Sequence, residues 1–178
     1  MKDLYDVTIV GGGPAGLYSA FYSGECGLKT KILEAQSSIG GKITLYPKKK
    51  IWDAGKQSPV SGGMFAKRLV EQVLTFQPTI FTKKKVELIE KRSNTRFVIT
   101  TDDGVMHYSK AVILANGDRG DTFGCTTQEG IFAAGDNICS EGKVNSLAGA
   151  KQDALRAVNS VKKYINSAVS RNSHDILL

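Results

Sequence analysis

The sequence predicts an α/β fold in which a parallel sheet carries helices and a smaller β-rich insertion interrupts it. Three observations predict this. Tyr5–Val10 is a short apolar run that passes directly into Gly11-x-Gly13-x-x-Gly16 and then into a helical pattern. Ala111–Ala115 and Ile131–Ala134 are apolar runs of the kind buried on both faces of a parallel sheet. Between the N-terminal unit and these runs lies a stretch dense in β-branched residues and turn signals.

Taken in order, strand one covers Tyr5–Val10 and helix one Pro14–Glu25, with proline in the first turn, where its missing N–H costs nothing. Strand two covers Lys29–Leu33 and delivers Glu34. Gly40-Gly41 opens an irregular stretch that runs to Ser61. A second helix is expected over Gly63–Gln77, with Phe65, Leu69, Val70, Val73 and Leu74 on one face. Thr79–Phe81, Val86–Lys91, Arg96–Thr101, Val105–Tyr108 and Ala111–Ala115 read as strands. Asn116–Gly120 is a polar, glycine-rich junction. The last helix is expected over Ser146–Ile165, with Leu147, Ala150, Ala154, Leu155, Val158, Val161 and Ile165 buried, and 166–178 form a tail without periodicity.

The 178 residues suit one domain. Hydrophobic content of 41% and charged content of 23% are those of a globular chain, and no apolar run reaches the roughly 20 residues of a membrane span. The N-terminus lacks a signal peptide's apolar stretch, so a cytoplasmic protein is expected. Cys26, Cys125 and Cys139 are odd in number and none are spaced as C-x-x-C, which argues against a disulfide framework or a zinc site; no metal is expected. The net charge is +7, with runs at Lys48–Lys50 and Lys83–Lys85. Solvated turns are the simpler reading of these runs; a docking surface for an acidic protein is the other. No nucleic-acid-binding pattern accompanies the charge.

The glycine motif has a physical division of labour. Gly11 makes the tight turn, Gly13 leaves room for a pyrophosphate to approach the backbone, and Gly16 lets helix one pack against strand one. The helix N-terminus then faces the phosphates. Glu34, after strand two, stands where an acidic residue accepts a hydrogen bond from a ribose 2′-OH. The fold expected is therefore Rossmann-like and the ligand a dinucleotide.

A second motif, Thr127-x-x-Gly130-Ile131-Phe132-Ala133-Ala134-Gly135-Asp136, joins the first. Together with Gly40-Gly41-Lys42 they resemble the FAD-binding domain of the two-dinucleotide-domain flavoproteins that include thioredoxin reductases. Leu45-Tyr46-Pro47-Lys48-Lys49, Ile51-Trp52-Asp53 and Glu141-Gly142-Lys143-Val144-Asn145 are more similar to the thioredoxin-reductase-like (type 2) ferredoxin/flavodoxin–NADP reductases. Lys42 stands where that family usually has glutamine, and Trp52 where it has tyrosine. The resemblance implies FAD as cofactor. It places the pyrophosphate over Gly13, Pro14, Ala15 and Gly16 and the adenosine ribose at Glu34. It puts Val86 against adenine and Asp136 on the ribityl chain. Tyr46 would stack on the isoalloxazine ring or else be an ordinary loop aromatic. Gly11, Gly41, Lys42, Asp53, Ala115, Asn116, Gly135, Val144 and Asn145 complete the expected site, and His174 is a candidate to cover the other ring face. No side chain is expected to be catalytic, because the flavin carries the chemistry.

The family also has an NADPH-binding domain with its own glycine fingerprint. No second fingerprint occurs here. Two halves of one FAD domain, about 1–117 and 121–166, are joined across 117–120 where that domain would lie, with 167–178 as tail. NADPH is thus implied by the resemblance alone. Three functions remain open: a ferredoxin or flavodoxin–NADP reductase-type oxidoreductase, a non-catalytic or engineered FAD-binding module, and the flavin domain of a thioredoxin-reductase-like enzyme. A ferredoxin or flavodoxin partner and a homodimer are expected.

Overall fold

The computed structural model describes residues 3–52, 58–117, 128–138 and 146–174, the last six without their side chains. Its elements are β1 (Leu4–Val10), α1 (Pro14–Glu25), β2 (Thr30–Leu33), β3 (Lys50–Ile51), β4 (Val60–Ser61), α2 (Gly62–Leu74), β5 (Thr79–Phe81), β6 (Val86–Ser93), β7 (Arg96–Thr101), β8 (Met106–Leu114), β9 (Ile131–Ala133) and α3 (Leu147–His174). Short 3-10 turns cover Gly41–Leu45 and Gly135–Asn137. The fold is the α/β, Rossmann-like arrangement expected.

One sheet runs β5-β2-β1-β8-β7-β6. β5, β2, β1 and β8 are parallel, whereas β8, β7 and β6 form an antiparallel meander. β8 has β1 along one edge from Tyr108 to Leu114. Its other edge is shared: Met106–Ser109 pair with β7, and Val112–Leu114 pair in parallel with β9. β3 and β4 form a separate two-stranded ribbon inside the stretch expected to be irregular.

α1 packs on β1, β2 and β8, and α3 on β8 and β9; the two helices touch, so they share one face of the sheet, with α2 on the far side of α1. Val7, Ile9, Leu17, Ile32, Phe97, Ile113, Val158 and Val161 lie at the centre of the core. α1 stops where Gly27 takes φ 70°, with its N–H bonded to Gly24 O and that of Leu28 to Ser23 O. α2 begins on Ser61, whose Oγ accepts from Met64 N, and Pro78 bars its extension.

Three expectations need correction. β8 is one strand, not two broken at Ser109-Lys110. Ser109 is buried and its hydroxyl donates to Ala111 O at 2.6 Å, while Lys110 Nζ pairs with Asp6 Oδ1 at 2.7 Å, so both polar groups are satisfied within an unbroken ladder. α3 continues past Ile165 to His174, because no glycine or proline intervenes and Ala168 extends the buried stripe. Leu74 and Leu155 face solvent; Phe65, Leu69 and Val73 carry the α2 face, and Ala157 and Tyr164 join the α3 stripe. The Tyr164 hydroxyl donates to Asn94 O, which ties α3 to the β6–β7 turn.

A buried polar cluster lies across β1, β2, β5 and β8. Lys31 Nζ sits 3.3 Å from His107 Nδ1 and 4.0 Å from the Tyr5 ring centroid, and the Tyr5 hydroxyl meets Thr79 Oγ1 at 2.9 Å. Lys31 is only 4% exposed. Burial holds its ammonium down at about 8, against 10.5. Burial, and then the neighbouring Lys31 charge, push His107 down to about 4. Between pH 8 and 10.5 the unfolded chain binds more protons at Lys31 than the folded one, so stability rises with pH in that window. Below pH 6.5 the same reasoning at His107 makes stability fall as pH drops toward 4. Lys31→Met is expected to stabilise the protein at neutral pH by on the order of 1–3 kcal/mol and to abolish most of the rise above pH 8. Urea unfolding at pH 7 and 10 measures both; a destabilised variant at pH 7 refutes the account.

Candidate functional site

The cleft begins at the turn between β1 and α1. Gly11 has φ 104°, and a Cβ there would lie 2.5 Å from Ala115 O. At Gly16 a Cβ would overlap the carbonyl oxygen of Gly11 and touch Ile9 Cγ2, so α1 can approach β1 only with glycine at that point. Gly13 differs. It caps α1 with φ −74° and ψ −176°, ordinary extended backbone, and a Cβ there would meet only Gly41 Cα, at 3.9 Å. It offers no side-chain cap, and the first helical bond is Leu17 N to Gly13 O. The N–H groups of Ala15 and Gly16 therefore have no acceptor inside the helix.

From this turn opens a cleft of about 1230 Å³, larger than the roughly 300–1,000 Å³ of drug-sized sites. Gly11, Gly13, Pro14 and Ala15 form one wall with Glu34 and Val86; Gly41, Lys42 and Tyr46 form a second. Ala115, Asn116, Gly135 and Asp136 close the floor from the ends of β8 and β9. Thirteen residues singled out in the sequence thus border one cavity. Gly16 lies behind the wall as a packing residue. Asp53, Val144 and Asn145 are outside the described residues, as is the His174 side chain, although the His174 backbone ends α3.

Glu34 is buried. Its Oε2 accepts from Gly12 N at 2.6 Å and its Oε1 from Gln36 N at 2.7 Å. The carboxylate therefore stitches β2 to the glycine turn, while each oxygen keeps a further lone pair. Lys42 Nζ pairs with Asp136 Oδ2 at 3.3 Å across the opposite end. Tyr46 is 63% exposed at the mouth, next to Lys49.

Asn137, beneath the cleft, and Leu147 and Ala150, as lining residues, escaped the sequence reading, whereas Ser146 was one of two candidate caps of the last helix. Asn137 holds the floor together: its Oδ1 accepts from Gly117 N at 2.9 Å and its Nδ2 donates to Asn116 Oδ1 at 2.6 Å. Its position directly after Gly135-Asp136 was the available signal. Ser146 caps α3, accepting from Gly149 N at 3.0 Å, and lines the cleft with Leu147 and Ala150. A second helix N-terminus thus reaches the cavity. Lys42, Lys49, Lys84 and Lys85 border it against two carboxylates, Glu34 and Asp136, among the described residues. Two helix N-termini and this cation excess select an anionic ligand.

The residues fit a bound FAD. The uncapped N-terminus of α1 offers free N–H groups, the only obstacle-free glycine of the turn faces the opening, and a buried acidic residue sits one strand away. Fold and cleft together define a dinucleotide-binding domain.

Comparison with known proteins narrows the class. The model of the pyridine nucleotide-disulphide oxidoreductase family matches residues 5–120, and the chain belongs to that family, of which it carries the FAD-binding domain. It is 57% identical over 117 residues to ferredoxin–NADP reductase 3 of Lysinibacillus sphaericus, a match covering 66% of this chain and 33% of the relative. The chain spans about a third of the length of the curated relatives it matches. A thioredoxin reductase structure from Streptococcus pyogenes superposes with a TM-score of 0.79 at 16% identity, covering 94% of this chain and 100% of that one, a likeness of fold. The Lactococcus lactis thioredoxin reductase gives 0.56 at 26% identity, over 64% of this chain and 35% of its own. Among the described residues no helix is long and apolar enough to cross a membrane.

Gly16→Ala tests the packing claim. The added methyl must displace α1 from the Gly11 carbonyl, so a loss of about 1–3 kcal/mol is expected in denaturant unfolding. Unchanged stability would show that α1 has room to spare.

Proposed function

We propose that this chain holds FAD in the cleft as the electron-carrying domain of a ferredoxin- or flavodoxin–NADP reductase-like flavoprotein. The observation that carries the reading is the single cavity that unites the glycine turn and Glu34 with Tyr46 and Asp136. When bound, FAD supplies the hydride and electron-transfer chemistry. The chain's residues position and screen it. The N-terminus of α1, at Gly13 and Ala15, would face the diphosphate, Glu34 would take a ribose hydroxyl on its spare lone pairs, and Tyr46 would shield one side of the isoalloxazine. The N-terminus of α3 favours negative charge at the nearby end of the cleft.

Lys48–Lys50 follow Tyr46 after Pro47, so an acidic electron carrier such as ferredoxin or flavodoxin would be steered toward the mouth of the cleft. Leu88 and Met106 flank Thr100 in register on the meander and are about half exposed, an apolar strip suited to cover by a second copy. A cytosolic homodimer completes the proposal. The two halves, 1–117 and 121–166, are read as one FAD domain without a nicotinamide domain between them.

The protein is expected to purify yellow with one FAD per chain. Gly13→Val is expected to fold normally, because its backbone angles suit any residue and a Cβ meets nothing closer than 3.9 Å, and to lose the flavin, because the branched side chain fills the phosphate approach. Absorbance near 450 nm (about the usual flavin band) and circular dichroism on both proteins decide this. A colourless wild type that takes up no added FAD refutes the reading.

Reduction by NADPH is expected to be slow and unsaturable, while dithionite reduces the flavin readily. Positioning of reactants accounts for about 7–11 kcal/mol of barrier in well-oriented cases, and the chain has no second glycine fingerprint to supply it. Anaerobic stopped-flow measures the rate; rapid, saturable bleaching by NADPH would establish a nicotinamide site in this chain.

A further inference from the structure

We propose that Lys42 and Asp136 form an electrostatic latch across the cleft, and that Lys42 exchanges the Asp136 carboxylate for the diphosphate of the entering dinucleotide. The inference rests on the flavin reading above.

Lys42 is anchored beside the phosphate turn. It follows Gly41, whose Cβ position lies 2.8 Å from Gly13 Cα, so the backbone that carries Lys42 is pressed against the cap of α1. Asp136 belongs to the floor, in the turn after β9. The 3.3 Å pair therefore ties the wall that carries Gly41 to the floor of the cleft. Little restrains the lysine itself, which is 75% exposed in its side chain, whereas Asp136 is 28% exposed. An exposed ion pair of this kind adds little stability and breaks readily.

The alternatives to Lys42 are fewer than the lining suggests. Lys84 is committed to Asp103, whose carboxyl it holds down at about 2. Lys49 stands by the Tyr46 ring at the mouth. The Glu34 carboxylate is held by two backbone amides. Lys42 lies beside the α1 N-terminus, next to Gly41, and its pair with Asp136 is an ion pair that it can exchange. A diphosphate offers it more negative charge than one carboxylate, and its departure frees Asp136 Oδ2 to accept from a ligand hydroxyl. Both members of the pair gain when the ligand enters, and in its absence each keeps the other aimed into the cleft.

Calorimetric titration of the full chain, stripped of flavin, with FAD and with ADP tests this. Lys42→Gln is expected to weaken both ligands by a similar factor, about tenfold at low salt. The difference should shrink at about 1 M salt, where screening acts over roughly 3 Å. Lys42→Arg should restore binding. Asp136→Asn should weaken FAD but leave ADP as tight as, or tighter than, wild type, since the competing carboxylate is gone. Wild-type affinity for both ligands in Lys42→Gln, or a salt-independent loss, overturns the latch. So does weaker ADP binding in Asp136→Asn. Those results differ from a wild-type protein that binds no FAD, which overturns the flavin reading and the latch with it.

Discussion

The contact of Gly16 with the Gly11 carbonyl is the constraint from which the site follows. It draws the start of α1 onto β1, so that the helix axis, the unpaired N–H groups and the glycine cap all point past the end of the sheet. A larger residue would lift the helix and swing its N-terminus. The opposing wall depends on the same approach, because Gly41 packs on Gly13 and Gly135 on Ala15. What looks like ligand chemistry is first a packing solution between one helix and one strand.

Charge then refines what packing has shaped. α1 and α3 both begin at the cavity, and four lysines border it. The two carboxylates are not free counter-ions: one is held by backbone amides and the other by Lys42. The cleft keeps its acidic groups occupied and its positive dipoles exposed. That asymmetry makes it selective for anions without building any one strong anion clamp, and it spreads recognition along an extended molecule.

The N-terminal unit was legible because local chemistry and tertiary role coincide there. Each glycine of the turn has one reason to be glycine, and the ends of α1 and β7 fall where the sequence put them. Legibility failed where distant partners satisfy polar residues. Ser109 and Lys110 look like a strand break until Asp6 is seen across the ladder. The place of Asn137 after Gly135-Asp136 hints at the site but not at its role as a clamp on the floor, because its partners Asn116 and Gly117 lie 21 and 20 positions earlier. Leu74 and Leu155 show the opposite error, apolar residues that fit a helical count yet sit a step off the stripe. The tail resisted because, among its described side chains, Ala168 alone extends the stripe.

The divided edge of β8 has a consequence for how such a chain can change over time. Val112–Leu114 pair in parallel with β9, so the chain must leave the end of β8 and return to the start of its neighbour. Strand order, register and core are already complete on both sides of that excursion. Its length is a free variable of the topology, as a hem is of a garment. Material can be added or removed there while the ladder on either side keeps its partners.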